Sequence, residues 1–325
     1  MNTEEIPSRK EQNNFKKGNK RGCGCLPGCL SIIVILGLIL LGIGYFVYRD
    51  VRSTTDTVYE DLSGQEQRRD QKVDIESGEP LSVLLMGIDT GTDGRIEHGR
   101  SDTMMVLTLN PETEETTIVS IPRDTYTEIA GRGYMDKINH AYAYGGTTMS
   151  VNTVQNLLDI PIDYYVSINM EGLEQIVDAL GGVTVVPDRS FNQSGYSFIE
   201  GQPTELNGSG ALAYSRMRKQ DPEGDYGRQR RQREVVQAIM KEAASVDSIM
   251  NYRSVLTVID NNMSTNMSFD EMVDMFGNYR SVAGNTSEDQ LRGEGTRING
   301  IYYDIVSDEE LTRVQNLLKD ELELN

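Results

Sequence analysis

Cysteine is nearly missing from this sequence, and its placement matters more than its number. All three, Cys23, Cys25 and Cys29, fall in the first 29 of 325 residues. The rest of the chain therefore relies on no disulfide. Three thiols within seven residues have no fourth ligand nearby, which argues against a structural zinc site. Acylation beside a membrane and plain solvated thiols both stay open. Histidine is scarcer still, with only His98 and His140. Neither stands out as a general base: His98 is expected in a loop, and His140 is expected to hydrogen-bond to neighbouring backbone. Positive charge is also in deficit, 31 lysines and arginines against 50 acidic residues. No internal repeat is evident, and the composition is otherwise that of a globular protein with one large or two ordinary domains.

Long apolar runs are absent but for one. Residues 30–48, LSIIVILGLILLGIGYFVY, run 19 residues without a charge, enough to span a bilayer. No small-residue cleavage site or lipid-accepting cysteine follows, so the run reads as a retained transmembrane signal anchor rather than a removed leader. Residues 1–29 carry six basic side chains against three acidic ones. The positive-inside rule then keeps this tail cytosolic and sends the C-terminal bulk outside. The exported part, residues 49–325, has a net charge of −22, which repels nucleic acid. The tail is too short and glycine-rich for a helix-turn-helix, so no nucleic-acid partner is expected.

Residues 49–80 are polar and charged and read as an extracellular stalk. A folded domain is expected over 81–325. LSVLLMGI, DTMMVLTLN and TTIVSIP are strand-like runs separated by turn residues. Helical spacing follows at Val151, Val154, Leu157 and Leu158, stopping before Pro161. DYYVSIN and VTVVP flank a helix through Leu173, Ile176, Val177 and Leu180. Further helices are expected around 208–217, 228–246 and 268–280, then a strand near 301–306 and a closing helix. Alternating strands and helices predict an α/β fold: a layered α-β-α domain with a central mixed sheet, behind one N-terminal transmembrane helix.

Three clusters carry chemistry. Asp89 ends the first strand in G-I-D-T, and Arg100, Ser101 and Asp102 enter the second in R-S-D-T. If these strands are neighbours, Asp89 and Asp102 converge at one sheet edge and suit magnesium, which binds oxygen and keeps few protein ligands. S-I-P-R-D sets Arg123 at the same edge, followed by Lys137, Asn139 and His140. In an acidic domain, Y-S-R-M-R and D-Y-G-R-Q-R-R-Q concentrate Arg216, Arg218, Arg228, Arg230 and Arg231, with Gln232. Arginine grips phosphate bidentately. On a helix starting near Tyr226, Arg228, Arg231 and Gln232 fall on one face at i, i+3 and i+4. The preceding helix is expected to end near Tyr214, so that Arg216 and Arg218 align on extended chain.

The ordered motifs GIDT…RSDT, SIPRD, KINHAYAYGG, YSRMR, DYGRQRRQ and GIYYDI resemble the LytR–CpsA–Psr family over roughly residues 80–320. The resemblance implies a phosphotransferase that moves a glycopolymer, such as wall teichoic acid, from a polyprenyl-pyrophosphate carrier to a peptidoglycan acceptor. It implies Mg2+ (or Mn2+) on Asp89 and Asp102. Arg100, Arg123, Arg216, Arg218, Arg228 and Gln232 would surround the pyrophosphate, with Lys137 and Asn139 lining the site. Asp89, Arg123 and Arg218 are the catalytic candidates, and Arg231 joins the binding set through its helical spacing. Two Arg-Gln pairs, Arg228-Gln229 and Arg231-Gln232, leave open which faces the ligand, the R-x-x-R-Q spacing favouring Gln232. The long lipid calls for an apolar channel between sheet and helices. The setting implied is the cell membrane of a Gram-positive bacterium, as a single-pass type II protein. A hydrolase of the same lipid-linked polymer, or a polyprenyl-phosphate receptor acting as a transcriptional attenuator, are the competing readings.

Overall fold

Period-two alternation in the three apolar runs builds the centre of the molecule. In the computed structural model, residues 49, 52–53, 57–89, 99–243 and 252–324 are described. The chain divides into two units, Met1–Arg49 and Asp50–Asn325, and the fold below is that of the second. Strands β1 (Leu81–Ile88), β2 (Ser101–Asn110) and β3 (Glu115–Ser120) pair antiparallel in succession. A small hairpin, β4 (Tyr126–Glu128) and β5 (Met135–Lys137), leads to helix α1 (His140–Leu158). β6 (Tyr164–Asn169) and α2 (Met170–Ala179) precede four short strands, β7 (Val183–Val185), β8 (Phe191–Gln193), β9 (Tyr196–Phe198) and β10 (Thr204–Leu206). Helices α3 (Gly208–Arg216), α4 (Asp225–Ala243) and α5 (Tyr252–Asn262) follow, then β11 (Met263–Thr265) and α6 (Phe269–Asn278). β12 (Thr286–Gln290), β13 (Glu294–Ile298), β14 (Ile301–Ile305) and α7 (Asp308–Glu321) complete the order.

The central sheet has six strands in the order β11-β6-β1-β2-β3-β12. β6 runs parallel to β1 and β12 parallel to β3, the other pairs antiparallel, so the sheet is mixed as expected. Leu84, Met86, Val106 and Val119 face one side and meet Val151, Val154 and Leu158 of α1 and Val314 and Leu318 of α7. Leu81, Val83, Met105 and Leu107 face the other, against Val236 and Met240 of α4 and Met272 and Met275 of α6. Two covered faces make three layers. Each such aliphatic side chain contributes about 1.5–3 kcal/mol on burial, which lets the body dispense with disulfides.

Local chemistry sets the helix ends. Ser268 and Glu271 form a reciprocal capping box on α6. Within α1, Gly146 takes φ 63° and breaks the helical dihedrals, a conformation glycine adopts without penalty. The apolar spacing from Val151 onward therefore belongs to the segment after this break.

Several expectations need correction. The stretch read as a stalk belongs, from residue 57 on, to the folded body: Val58, Leu62, Val73 and Ile75 are buried. Gln65 Nε2 donates to the Ile162 carbonyl, and Arg69 is paired to Asp163 at 2.7 Å. A polar segment reads as solvated when its partners lie ~90 residues away in sequence, beyond any local pattern. α3 ends at Arg216 rather than Tyr214, with Met217 extended at its C-cap. His140 bonds the Asp136 carboxylate, not backbone. The small hairpins leave no sequence signature, because three-residue strands carry too few alternations. The apolar run 30–48 and Cys23, Cys25 and Cys29 lie outside the described residues. Among the described residues no helix is long and apolar enough to cross a membrane.

Candidate active site

Because β1, β2 and β3 alternate in direction, the end of β1, the start of β2 and the end of β3 share one edge. Gly87 pairs with Thr103 and Ile88 with Ser101, so Asp102 is the extra residue of a β-bulge. Bulges re-aim side chains, and this one brings the Asp102 carboxylate to 3.0 Å from the Arg123 guanidinium. Asp89 stands at the same edge, its amide donating to the Arg100 carbonyl at 2.9 Å. Arg100 itself is exposed and, among the described residues, forms no ion pair. Asn139 donates its amide to the Arg123 carbonyl at 3.3 Å, and its side-chain nitrogen lies 3.5 Å from Asp102. Lys137 is held by Asp124 at 2.6 Å, and Asp124 lies 3.9 Å from Arg123.

The arginines of α4 part company because each residue turns the helix about 100°. Arg228 reaches Asp225 at 2.8 Å, and Arg218 stands 3.9 Å from the same carboxylate. Arg230 turns to Glu223 at 2.5 Å. Arg233 donates to Ser120 Oγ and Glu288, tying α4 to the sheet. Arg231, expected in the ligand group, is instead fully buried, 2.7 Å from Asp221 and bonded to the Met217 carbonyl. Asp221 presses so closely on Gly227 that a Cβ there would lie 1.9 Å from its carboxylate. Arg231 thus locks the loop between α3 and α4, while Gln232, one turn beyond Arg228, keeps its place on the site side.

Two cavities meet at Arg216. One, of about 470 Å³, is lined by Arg123, Gln193, Arg216, Arg218, Lys219, Gln220 and Arg228. The other, of about 100 Å³, runs between sheet and helices along Leu85, Met105, Val166, Leu173, Val235 and Val236, with Arg216 and Gln232 also lining it. Cations outnumber carboxylates around the first. Burial pulls the Arg228 guanidinium below its ordinary value; Asp225 opposes this, but Arg123 and Arg218 add repulsion. Burial weighs on Arg123 too, yet Asp102, Asp225 and Asp124 together hold it above its ordinary value. Arg228 Nε and Gln232 Oε1 are buried without a hydrogen-bond partner. Polar groups left unpaired in this way cost stability unless a ligand completes them.

The donor set at the sheet edge suits a hard, oxygen-seeking cation. Asp89 and Asp102 offer carboxylates, and Asn139 Oδ1 beside Asp102 is buried and unpartnered. Among the described residues no group of three or more histidines, cysteines or carboxylates is placed to hold a metal ion. Sequence reasoning missed Gln193, Lys219 and Gln220. Gln193 arrives on the β8–β9 hairpin, and nothing local links that hairpin to an arginine segment 23 residues onward.

Comparison with known proteins fits this architecture. The LytR_cpsA_psr family matches residues 45–320. The chain is 48% identical over 292 residues to the polyisoprenyl-teichoic acid–peptidoglycan teichoic acid transferase TagU of Enterococcus faecalis, covering 90% of this chain and 95% of that protein. TagU of Bacillus subtilis is 46% identical over 297 residues, with 90% and 95% covered. The crystal structure of B. subtilis TagU superposes with a TM-score of 0.61 at 46% identity, over 75% of this chain and 97% of that one. TagT bound to LIIa-WTA superposes with a TM-score of 0.68 at 31% identity, over 82% and 99%. The chain belongs to the LytR_cpsA_psr family.

Proposed function

We propose that this protein transfers a phosphate-linked glycopolymer, of the teichoic acid class, from a polyprenyl-pyrophosphate carrier to peptidoglycan. The observation that carries this reading is Arg216, which lines both a cationic cavity and an apolar one. A ligand filling both has an anionic head and a greasy tail, as a lipid pyrophosphate has. The names of the TagU relatives and the TagT complex with LIIa-WTA support it. The uncharged run 30–48 supports a single membrane span that keeps the domain beside its lipid substrate, outside the cell.

The chemistry is a displacement at phosphorus. A hydroxyl oxygen of the acceptor forms a bond to the sugar-linked phosphorus, and the bond from that phosphorus to the bridging oxygen breaks. Polyprenyl phosphate leaves, and the hydroxyl proton is lost to an acceptor group or solvent. Charge therefore accumulates on the departing lipid phosphate. Positioned cations lower such a barrier more than covalent chemistry does. In this reading Arg216 meets the lipid phosphate at the cavity junction, and Arg123, Arg218 and Arg228 hold the transferred phosphoryl oxygens. Gln232 completes the grip, with Lys137 and Asn139 positioning the Asp124–Arg123–Asp102 chain. Arg100 would reach the ligand only from the exposed rim. Asp89 and Asp102 would hold Mg2+ or Mn2+, which supplies further neutralisation of the pyrophosphate.

The test is incubation of the full chain with lipid-linked polymer, Mg2+ and peptidoglycan fragments. A covalent polymer–peptidoglycan product supports transfer. Free polymer phosphate instead indicates hydrolysis, and unchanged lipid indicates a receptor.

A further inference from the structure

The stretch KINHAYAYGG contributes more to the structure than Lys137 and Asn139. Asp136, just before it, is a hub: its carboxylate accepts from Tyr144 Oη at 2.7 Å and meets His140 Nδ1 at 2.8 Å. The Tyr303 hydroxyl lies 3.5 Å from the same carboxylate. Tyr134, at the β4–β5 turn, sets its ring edge-on to Tyr144 at 6.2 Å between centroids, and His140 does so at 5.8 Å. Arg132 lies over Tyr144 at 4.6 Å. Tyr134 and Tyr144 nevertheless remain 43% and 38% exposed. The Asp136 carboxylate fixes the Tyr144 ring, and Tyr134 packs edge-on against it, so two exposed rings stand pre-organised for a ligand.

Continuity points to which ligand. Lys137 stands over the Tyr303 ring and is bonded to Asp124, which neighbours Arg123. A chain of contacts thus runs from the apolar cavity through Arg216, the arginine basin, Arg123 and Lys137 to this aromatic shelf. The lipid and pyrophosphate occupy the first members of that series in the function proposed above. We propose that the shelf of Tyr134, Tyr144, His140 and Asp136 is the subsite for the acceptor, a glycan strand of peptidoglycan. This inference rests on the transfer reading for its choice of ligand. The chemistry suits such a strand: equatorially substituted sugar rings present axial C–H faces that stack on tyrosine, and their hydroxyls and amides can bond to the carboxylate and imidazole. Arg132 flanks the shelf over Tyr144 and complements the carboxylates that peptidoglycan strands carry.

The test measures binding of fluorescently labelled, uncrosslinked peptidoglycan strands to the full chain in detergent by anisotropy, without donor lipid. Tyr134→Ala and Tyr144→Ala are expected to weaken binding roughly tenfold each, while Tyr134→Phe retains it. Polyprenyl phosphate binding, measured in parallel, stays within about twofold of the parent and reports an intact fold. Tyr134 lies at an exposed turn outside the Asp136 hydrogen bonds, so Tyr134→Ala carries the test even if Tyr144→Ala misfolds. Unchanged strand affinity in Tyr134→Ala, or no strand binding by the parent, overturns the shelf. A parent that binds strands but never transfers polymer overturns the transfer reading and leaves the shelf standing. A parent that transfers while Tyr134→Ala keeps its acceptor KM does the reverse.

Discussion

Arg231 and Asp221 form a 2.7 Å ion pair with no solvent exposure on either side chain, one helical turn from an arginine that faces a cavity. Removing Asp221 strands the Arg231 charge in the interior, whereas removing Arg231 leaves Asp221 the longer contacts to Arg189 at 3.4 Å and Arg230 at 3.7 Å. Asp221→Ala is expected to cost about 3–5 kcal/mol of stability in denaturant melts, and Arg231→Ala less. Gly227→Ala should behave alike, since its methyl would collide with the Asp221 carboxylate. Near-parental melts would place the lock elsewhere.

Arg228 should separate stability from activity. Burial and the neighbouring Arg123 and Arg218 already disfavour its charge. Arg228→Gln is therefore expected to melt no lower than the parent, while transfer falls by about 10²–10³-fold. A variant that loses stability and turnover in proportion would mark Arg228 as structural.

Asp102 has two tasks in the proposed site, pairing Arg123 and binding the cation. Asp102→Asn should raise the Mg2+ concentration needed for half-maximal transfer by at least about tenfold. A Mg2+-dependent rise in Tm, read without any substrate, should shrink in parallel. An unaltered Mg2+ response would remove Asp102 from the cation site.

The apolar cavity offers a test by filling. Leu85→Trp or Val236→Trp should occupy much of its volume of about 100 Å³. Binding of a long polyprenyl phosphate is expected to drop roughly tenfold, whereas a tailless pyrophosphate binds as before. Equal losses for both probes would mean the tail lies elsewhere.

Glu271 gives a pH dependence of known sign. Burial pushes its carboxyl up, but Lys72, Ser268 and the Tyr164 hydroxyl outweigh this and bring it down to about 2, from an ordinary 4.5. A lowered folded-state value means the contribution is complete above pH 4.5 and is lost as pH falls toward about 2. Thermal melts across that range should fall less steeply in Glu271→Gln, which is also expected to be destabilised by about 1–2 kcal/mol at neutral pH. Parallel pH profiles for parent and variant would rule out this linkage.

What the sequence determined by itself was local or compositional. The α/β layering followed from periods of two and 3.6, which any short window displays: LSVLLMGI turns Leu84 and Met86 to one face and Val83 to the other. That Asp102 and Arg123 share one sheet edge was legible because a short turn between β2 and β3 forces antiparallel neighbours, whereas Asp89 joins that edge only through the β1–β2 pairing. Tertiary structure alone decided the rest. Arg228 and Arg231 look equivalent in D-Y-G-R-Q-R-R-Q, and only the return of Asp221 against Gly227 sends one to the interior. Residues 57–80 look like a tether until Asn152, Gln155 and Asp163 accept and offer their hydrogen bonds. The shelf around Asp136 needed a hairpin, a helix start and β14 to meet. Such contacts join residues far apart in the chain, and charge or polarity read locally cannot say which partner a side chain will find.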